Sequence, residues 1–145
     1  MLLRRWRISS FVVVTVRGIS MRPALSEGDR VLVRRRVVPR RGQLVVIEQP
    51  RRTEPYWVGV PVGLNRSGHF PEGRQWMIKR VAAIAGDSVP ADMTGNGSID
   101  GRNVPEAHIL LLGDNAAVSF DSRHLGFVPM ERVLGTVWRI LKRTA

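Results

Sequence analysis

The chain contains no cysteine. That removes a disulfide framework, a thiolate nucleophile and any cysteine-based zinc site at once, without fixing the compartment. Lysine is almost as scarce: of 23 Lys+Arg residues only Lys79 and Lys142 are lysine, and all the others are arginine. A guanidinium keeps its proton in a protein, whereas a buried ammonium can lose it. A lysine at an interior position of such a chain is therefore a hint of proton chemistry. Long apolar runs are missing too, since the uncharged stretch 8–16 falls short of the roughly 20 residues needed to span a bilayer. Acidic residues number only 12, which leaves a net charge of +11. A surplus of this size suits a solvated basic surface, an anionic membrane surface or nucleic acid. The arginines are scattered rather than gathered in one stripe. Neither an RNA-binding aromatic signature nor a helix-turn-helix pattern is present, so nucleic acid is not expected as a partner.

The 145 residues, 43% of them hydrophobic, suit one domain with a sizeable core. Valine-rich and alternating stretches bounded by Gly, Pro and Asp predict strands over 11–16, 30–33, 43–47, 75–83, 108–112, 126–128 and 133–140, with a short one over 57–60. Gly95-Asn96-Gly97 and Gly101 predict hairpin turns. With almost no helical periodicity, the expectation is a mainly β fold of short antiparallel strands and few helices. Residues 1–10 form a basic segment suited to lipid headgroups through Trp6 and its arginines, and 11–145 a single β domain.

Three segments carry the chemistry. In Gly18-Ile19-Ser20-Met21-Arg22-Pro23-Ala24-Leu25, Ser20 follows an apolar strand and precedes a turn. That placement fits a hydroxyl held at the rim of a sheet, and equally a serine that caps its own turn. In Trp76-Met77-Ile78-Lys79-Arg80-Val81, strand alternation puts Met77, Lys79 and Val81 on one face and Ile78 and Arg80 on the other. An apolar face would desolvate the Lys79 ammonium and lower its pKa, as a general base near neutral pH requires. A lysine that snorkels to solvent is the plainer alternative. Gly113-Asp114-Asn115, followed by Ser119-Phe120-Asp121-Ser122-Arg123, gathers polar residues directly after a strand, with Asp121 and Arg123 spaced to pair. His69, His108 and His124 lack metal-ligand spacing, and no phosphate-cradling loop is present. No metal or cofactor is expected.

In order and together, these segments resemble the type I signal peptidase family of serine–lysine proteases, from about Val13 to Ile140. The resemblance implies a signal-peptidase-like β fold and a serine endopeptidase that removes signal or leader peptides from secreted precursors. Ser20 would be the nucleophile and Lys79 its general base. The backbone N–H of Ser20 would help stabilise the oxyanion. Ser119 matches the serine that orients the lysine, Asp121 and Arg123 a supporting ion pair, and Asp114 and Arg80 a second pair. Ile19, Met21, Met77 and Ile78 would lie beside an extended peptide bound as an added strand. Small residues before the cleaved bond, as in Ala-x-Ala ends, are expected in the substrate.

The sequence also departs from the family pattern. Gly18 stands where some relatives carry a serine that completes the oxyanion hole. Ala116 and Val118 replace residues that are usually polar, and the segment between Lys79 and the Gly-Asp-Asn box is short. Family members carry a transmembrane helix before the nucleophile, and no full span precedes Ser20. A membrane-associated enzyme is expected, peripheral, truncated or tethered by a membrane-anchored partner, with its active site on the extracytoplasmic face. The alternatives are a repressor-type self-cleaving or conjugation-related Ser/Lys peptidase, or a catalytically idle basic binding module.

Overall fold

The computed structural model describes residues 10–62, 73–95, 97 and 99–143. Within them lie seven strands: β1 (Phe11–Thr15), β2 (Arg30–Arg35), β3 (Leu44–Glu48), β4 (Trp76–Ile84), β5 (His108–Leu112), β6 (Val128–Pro129) and β7 (Val133–Lys142). One four-residue helix, α1 (Ser122–Leu125), and short 3-10 turns join them. The strands form a single sheet in the order β1-β2-β7-β3-β4-β5-β6, every neighbouring pair antiparallel. This is the mainly β architecture expected from the sequence. The basic segment 1–9 lies outside the described residues.

The middle of the sheet is buried on both faces, which explains why β3 reads as an unbroken apolar run instead of an alternation. Val46 packs with Val14, Val31, Val33 and Ile78 on one side; Val45 and Ile47 pack with Val81, Ile109, Leu111 and Val128 on the other. The outer strands β1 and β2 bury one face in the core. Val12 and Val14 point to the first cluster, while Val13 is exposed. A third cluster of Ala83, Met93, Ile99, Val104 and Leu110 secures the excursion between β4 and β5. A Ser88–Asn103 bridge closes that excursion, with Gly95 and Gly101 at positive φ in its turns, close to the hairpin expected there. Asn96 lies outside the described residues.

Two local outcomes differ from the sequence reading. Residues 57–60 form bends and no strand. Trp57 is held by its side chain, whose indole N–H donates to the Glu48 carbonyl at 2.8 Å, and Gly59 turns the chain at φ 85. The strand expected over 126–128 begins only at Val128, because Gly126 caps α1 at φ 72 and Phe127 follows in a bend.

Candidate active site

Ser20 sits in the turn that leaves β1. The turn is internally bonded, with the Arg22 N–H donating to the Ile19 carbonyl and the Leu25 N–H to the Met21 carbonyl. Gly18 enters it at φ 74, in the left-handed region. The loop after β5 clamps the turn from across the sheet. The Asn115 N–H donates to the Ser20 carbonyl at 2.8 Å, and Asn115 Nδ2 to the Ile19 carbonyl at 3.1 Å. The Ser20 hydroxyl thus has a fixed address although its turn is on the surface.

Lys79 reaches Ser20 from the middle of β4, 59 residues away in sequence. Its Nζ donates to Ser20 Oγ at 2.9 Å and to Ser119 Oγ at 3.0 Å. Lys79 is only 2% exposed, so it does not snorkel to solvent. Burial, opposed by the Asp121 charge and reinforced by Arg123 and Arg52, pushes its pKa from 10.5 down to about 8. A substantial fraction of the amine is therefore uncharged just above neutral pH. Ser119, 5% exposed, ends a 3-10 turn at Ala116–Val118, which aims its hydroxyl back at the amine.

Asp121 organises the layer behind. It is fully buried, and its Oδ2 accepts the Gly113 N–H at 2.8 Å. Arg123 grips both carboxylate oxygens, Nε to Oδ1 at 2.9 Å and Nη2 to Oδ2 at 2.8 Å. Asp121 also caps α1 through the Arg123 N–H, with His124 closing a capping box. Burial raises the Asp121 pKa, but hydrogen bonds from Arg123, the Gly113 N–H and Ser119 outweigh it and hold the carboxylate below its ordinary range. Ser119 thereby links Lys79 to a carboxylate that stays ionised. Farther out, Asp114 takes Arg80 in a two-pronged pair, Nε–Oδ1 2.8 Å and Nη2–Oδ2 2.7 Å, while Arg80 Nη1 donates to the Gly42 carbonyl.

A cavity of about 300 Å³ opens onto this arrangement, lined by Gly18, Ile19, Ser20, Met77, Lys79 and Phe120 among others. Met21 and Ile78 lie in the first core cluster instead, and border a void of about 20 Å³ that also touches Ser20 and Met77. The Ser20 N–H makes no hydrogen bond to another described residue. At Gly18 a side chain would meet open space, so no hydroxyl stands there.

Three contributors were not singled out from the sequence. Asn115 clamps the turn that carries Ser20. Arg52 lines the cavity and lies 4.5 Å from the Phe120 ring centroid. Gly113 is a steric necessity, because a Cβ there would fall 2.0 Å from Ser119 Oγ and 3.0 Å from the Ser20 carbonyl oxygen. Asn115 and Gly113 both belong to the Gly-Asp-Asn segment, which carried their signal. Arg52 lies in a loop with no motif.

A buried amine bonded to two hydroxyls, backed by an ionised carboxylate and open to a groove, is an arrangement fit for proton transfer. The family model for signal peptidase, peptidase S26, matches residues 2–103 and 90–141, and the chain belongs to that family. Among its relatives, a probable signal peptidase I-2 of Synechocystis is 29% identical over 138 residues, covering 80% of this chain and 56% of the relative. Mitochondrial inner membrane protease subunit 1 of Schizosaccharomyces pombe is 35% identical over 71 residues, 46% of this chain and 44% of the relative. Signal peptidase I V of Bacillus subtilis is 27% identical over 149 residues, 88% of this chain and 83% of the relative. The chain thus spans only about half the length of the first two. A solved signal peptidase I from Enterococcus faecalis is similar at a TM-score of 0.44 and 20% identity, over 70% of this chain and 98% of that one.

Proposed function

We propose that the protein is a serine endopeptidase of the membrane surface that removes leader peptides from secreted precursors, with Ser20 as nucleophile and Lys79 as general base. The observation that carries this reading is the 2.9 Å contact between the Ser20 hydroxyl and an amine that burial pushes down to about 8.

In the proposed sequence, Ser20 Oγ attacks the scissile carbonyl carbon while its proton passes to the Lys79 lone pair. The tetrahedral oxyanion is met by the Ser20 N–H. Lys79 then returns the proton to the departing amine as the C–N bond breaks, leaving an ester on Ser20. Water, deprotonated by the same amine, attacks that ester, and Lys79 returns the proton to Ser20 Oγ as the C–O bond breaks, freeing the acid product and the enzyme. Ser119 and the Asp121–Arg123 pair are positioning residues: they keep the amine pointed at Ser20 and leave its lone pair for the proton. Asp114 and Arg80 brace the loop that carries Asn115. The cavity beside Ser20 shares Arg17, Gln49 and Trp76 with a longer groove of about 520 Å³ along β1, room for an extended peptide. Its modest size favours small side chains next to the cleaved bond. Family membership supports a membrane setting with the active site on the extracytoplasmic face. Among the described residues no helix is long and apolar enough to cross a membrane.

The test is mass spectrometry of precursor peptides with Ala-x-Ala ends after incubation with the protein. Cleavage after the small residue, abolished by Ser20→Ala and by Lys79→Ala, is the expected result. Lys79→Arg should also be inactive, because a guanidinium does not serve as the base. Cleavage by the arginine variant would refute the assignment.

A further inference from the structure

Three successive arginines, Arg34 to Arg36, mark the end of β2, and among the described residues the middle one has no counter-charge. Arg35 is 5% exposed and its Nη1 is buried with no hydrogen-bond partner. No carboxylate among the described residues pairs with it. Burial, and then the charge of Arg36, lower its pKa from the ordinary guanidinium value. A guanidinium nonetheless stays charged, and a buried charge is tolerated poorly without an opposite one beside it. Arg36 leaves the strand in the left-handed region at φ 59, which breaks the alternation that would separate neighbouring side chains. Arg34, Arg35 and Arg36 all line one cavity of about 520 Å³ at the end of β2, together with Ser10, Phe11 and Trp138. Three cations, a polar residue and two aromatic rings surround one hollow, a lining suited to an anion.

The surface beside this hollow is apolar. Trp138 is the extra residue of a bulge in β7, where Leu32 faces Arg139 and Val33 faces Val137. It is 54% exposed, packs on Phe11 with ring centroids 5.3 Å apart, and carries the Arg139 guanidinium 4.8 Å from its ring. Val13, two residues along β1 from Phe11, is 44% exposed. Arg30, Arg34, Arg139 and Lys142 are exposed around it, and β1, β2 and β7 contain no acidic residue. A face with an apolar, tryptophan-bearing centre, a cationic rim and a hollow lined by the buried Arg35 matches a ligand that is itself both apolar and anionic.

We propose that Arg35, with Ser10, Arg34 and Arg36, holds the phosphate of an anionic phospholipid, while Phe11, Val13 and Trp138 rest at the boundary of headgroups and acyl chains. The proposal gives the membrane-surface part of the reading above a definite place and is independent of the Ser20–Lys79 pair.

The experiment uses the Ser20→Ala protein, so that binding is read without cleavage and neither reading can fail through the other. Flotation with mixed phosphatidylglycerol/phosphatidylcholine vesicles is compared with pure phosphatidylcholine. Binding is expected only with the anionic lipid, and roughly tenfold weaker after Arg35→Met, as loss of a charged hydrogen bond implies. In vesicle-free buffer Arg35→Met should melt higher, since it removes the buried charge, and inorganic phosphate should raise the melting temperature of the parent but not of R35M. Trp138→Ala, an exposed change, should weaken vesicle binding and keep the response to phosphate. Equal vesicle binding by the parent and both variants would overturn the proposal. So would equal binding to pure phosphatidylcholine, tighter binding to a single-stranded oligonucleotide than to vesicles, or a response to free phosphate without vesicle binding.

Discussion

At the scale of single residues, Lys79 costs the fold what it offers the chemistry. Its folded pKa of about 8 lies below the 10.5 of a free lysine, so between those values the unfolded chain binds more protons than the folded one. Stability therefore rises as pH climbs through that window, and below about 8 the full penalty, about 3 kcal/mol, remains. Lys79→Met should be inactive yet more stable than the parent in urea at pH 7 by up to about 3 kcal/mol, an advantage that shrinks above pH 8. A less stable variant at neutral pH would contradict the burial account. Asp121 behaves oppositely. Its folded pKa is held down, so its contribution is present above its unfolded value of 3.8 and fades as pH falls below that. Asp121→Asn, which breaks a buried pair with Arg123, should lower stability by about 3 kcal/mol at neutral pH and remove part of the acid sensitivity. Denaturant titrations across pH would read both effects.

Among elements, the decisive contact is between the turn after β1 and the loop after β5. Asn115 holds the Ser20 carbonyl, and Gly113 lets Ser119 come within reach of Lys79. Gly113→Ala should push Ser119 aside and cut kcat/KM on the order of a hundredfold, the effect of a displacement near 1 Å, while the β sheet signal in circular dichroism stays unchanged. Parental activity in this variant would show that the close approach does not matter. Much of this level was legible in the sequence. β1 is a valine-rich run, β2 alternates, β4 carries Lys79 and Arg80 on opposite faces, and the Gly-Asp-Asn segment follows a strand. Strands are read from local pattern, and these patterns are local. The segment 57–60 forms no strand: Trp57 is held by its indole N–H on the Glu48 carbonyl, nine residues away in sequence, and Val58 and Val60 are exposed. Helix α1 is too short to show a period, and exists because Asp121 caps it.

For the whole molecule, position along the sheet order decides what each strand contributes. β3, fourth of seven, is buried on both faces, so Ile47→Ala should cost about 2–5 kcal/mol, whereas Val13→Ala, on the open face of β1, should change stability by less than about 0.5 kcal/mol. Thermal unfolding of the two variants reads the contrast. The features least visible in the sequence are also of this scale. Glu48 gathers Arg74 and Arg132 from distant segments, and Arg35 is buried with no counter-charge among the described residues; nothing in an arginine's neighbours along the chain reports what lies beside it in space. The same is true of Lys79, whose role depends on an environment assembled from β1, β4 and the loop after β5. The most direct measurement of the central claim is a heteronuclear NMR titration of the Lys79 amine alongside the pH profile of kcat/KM. Both should share a midpoint near 8, with cleavage rising as the amine loses its proton. An amine that titrates as an ordinary lysine, or cleavage that falls through that range, would contradict it.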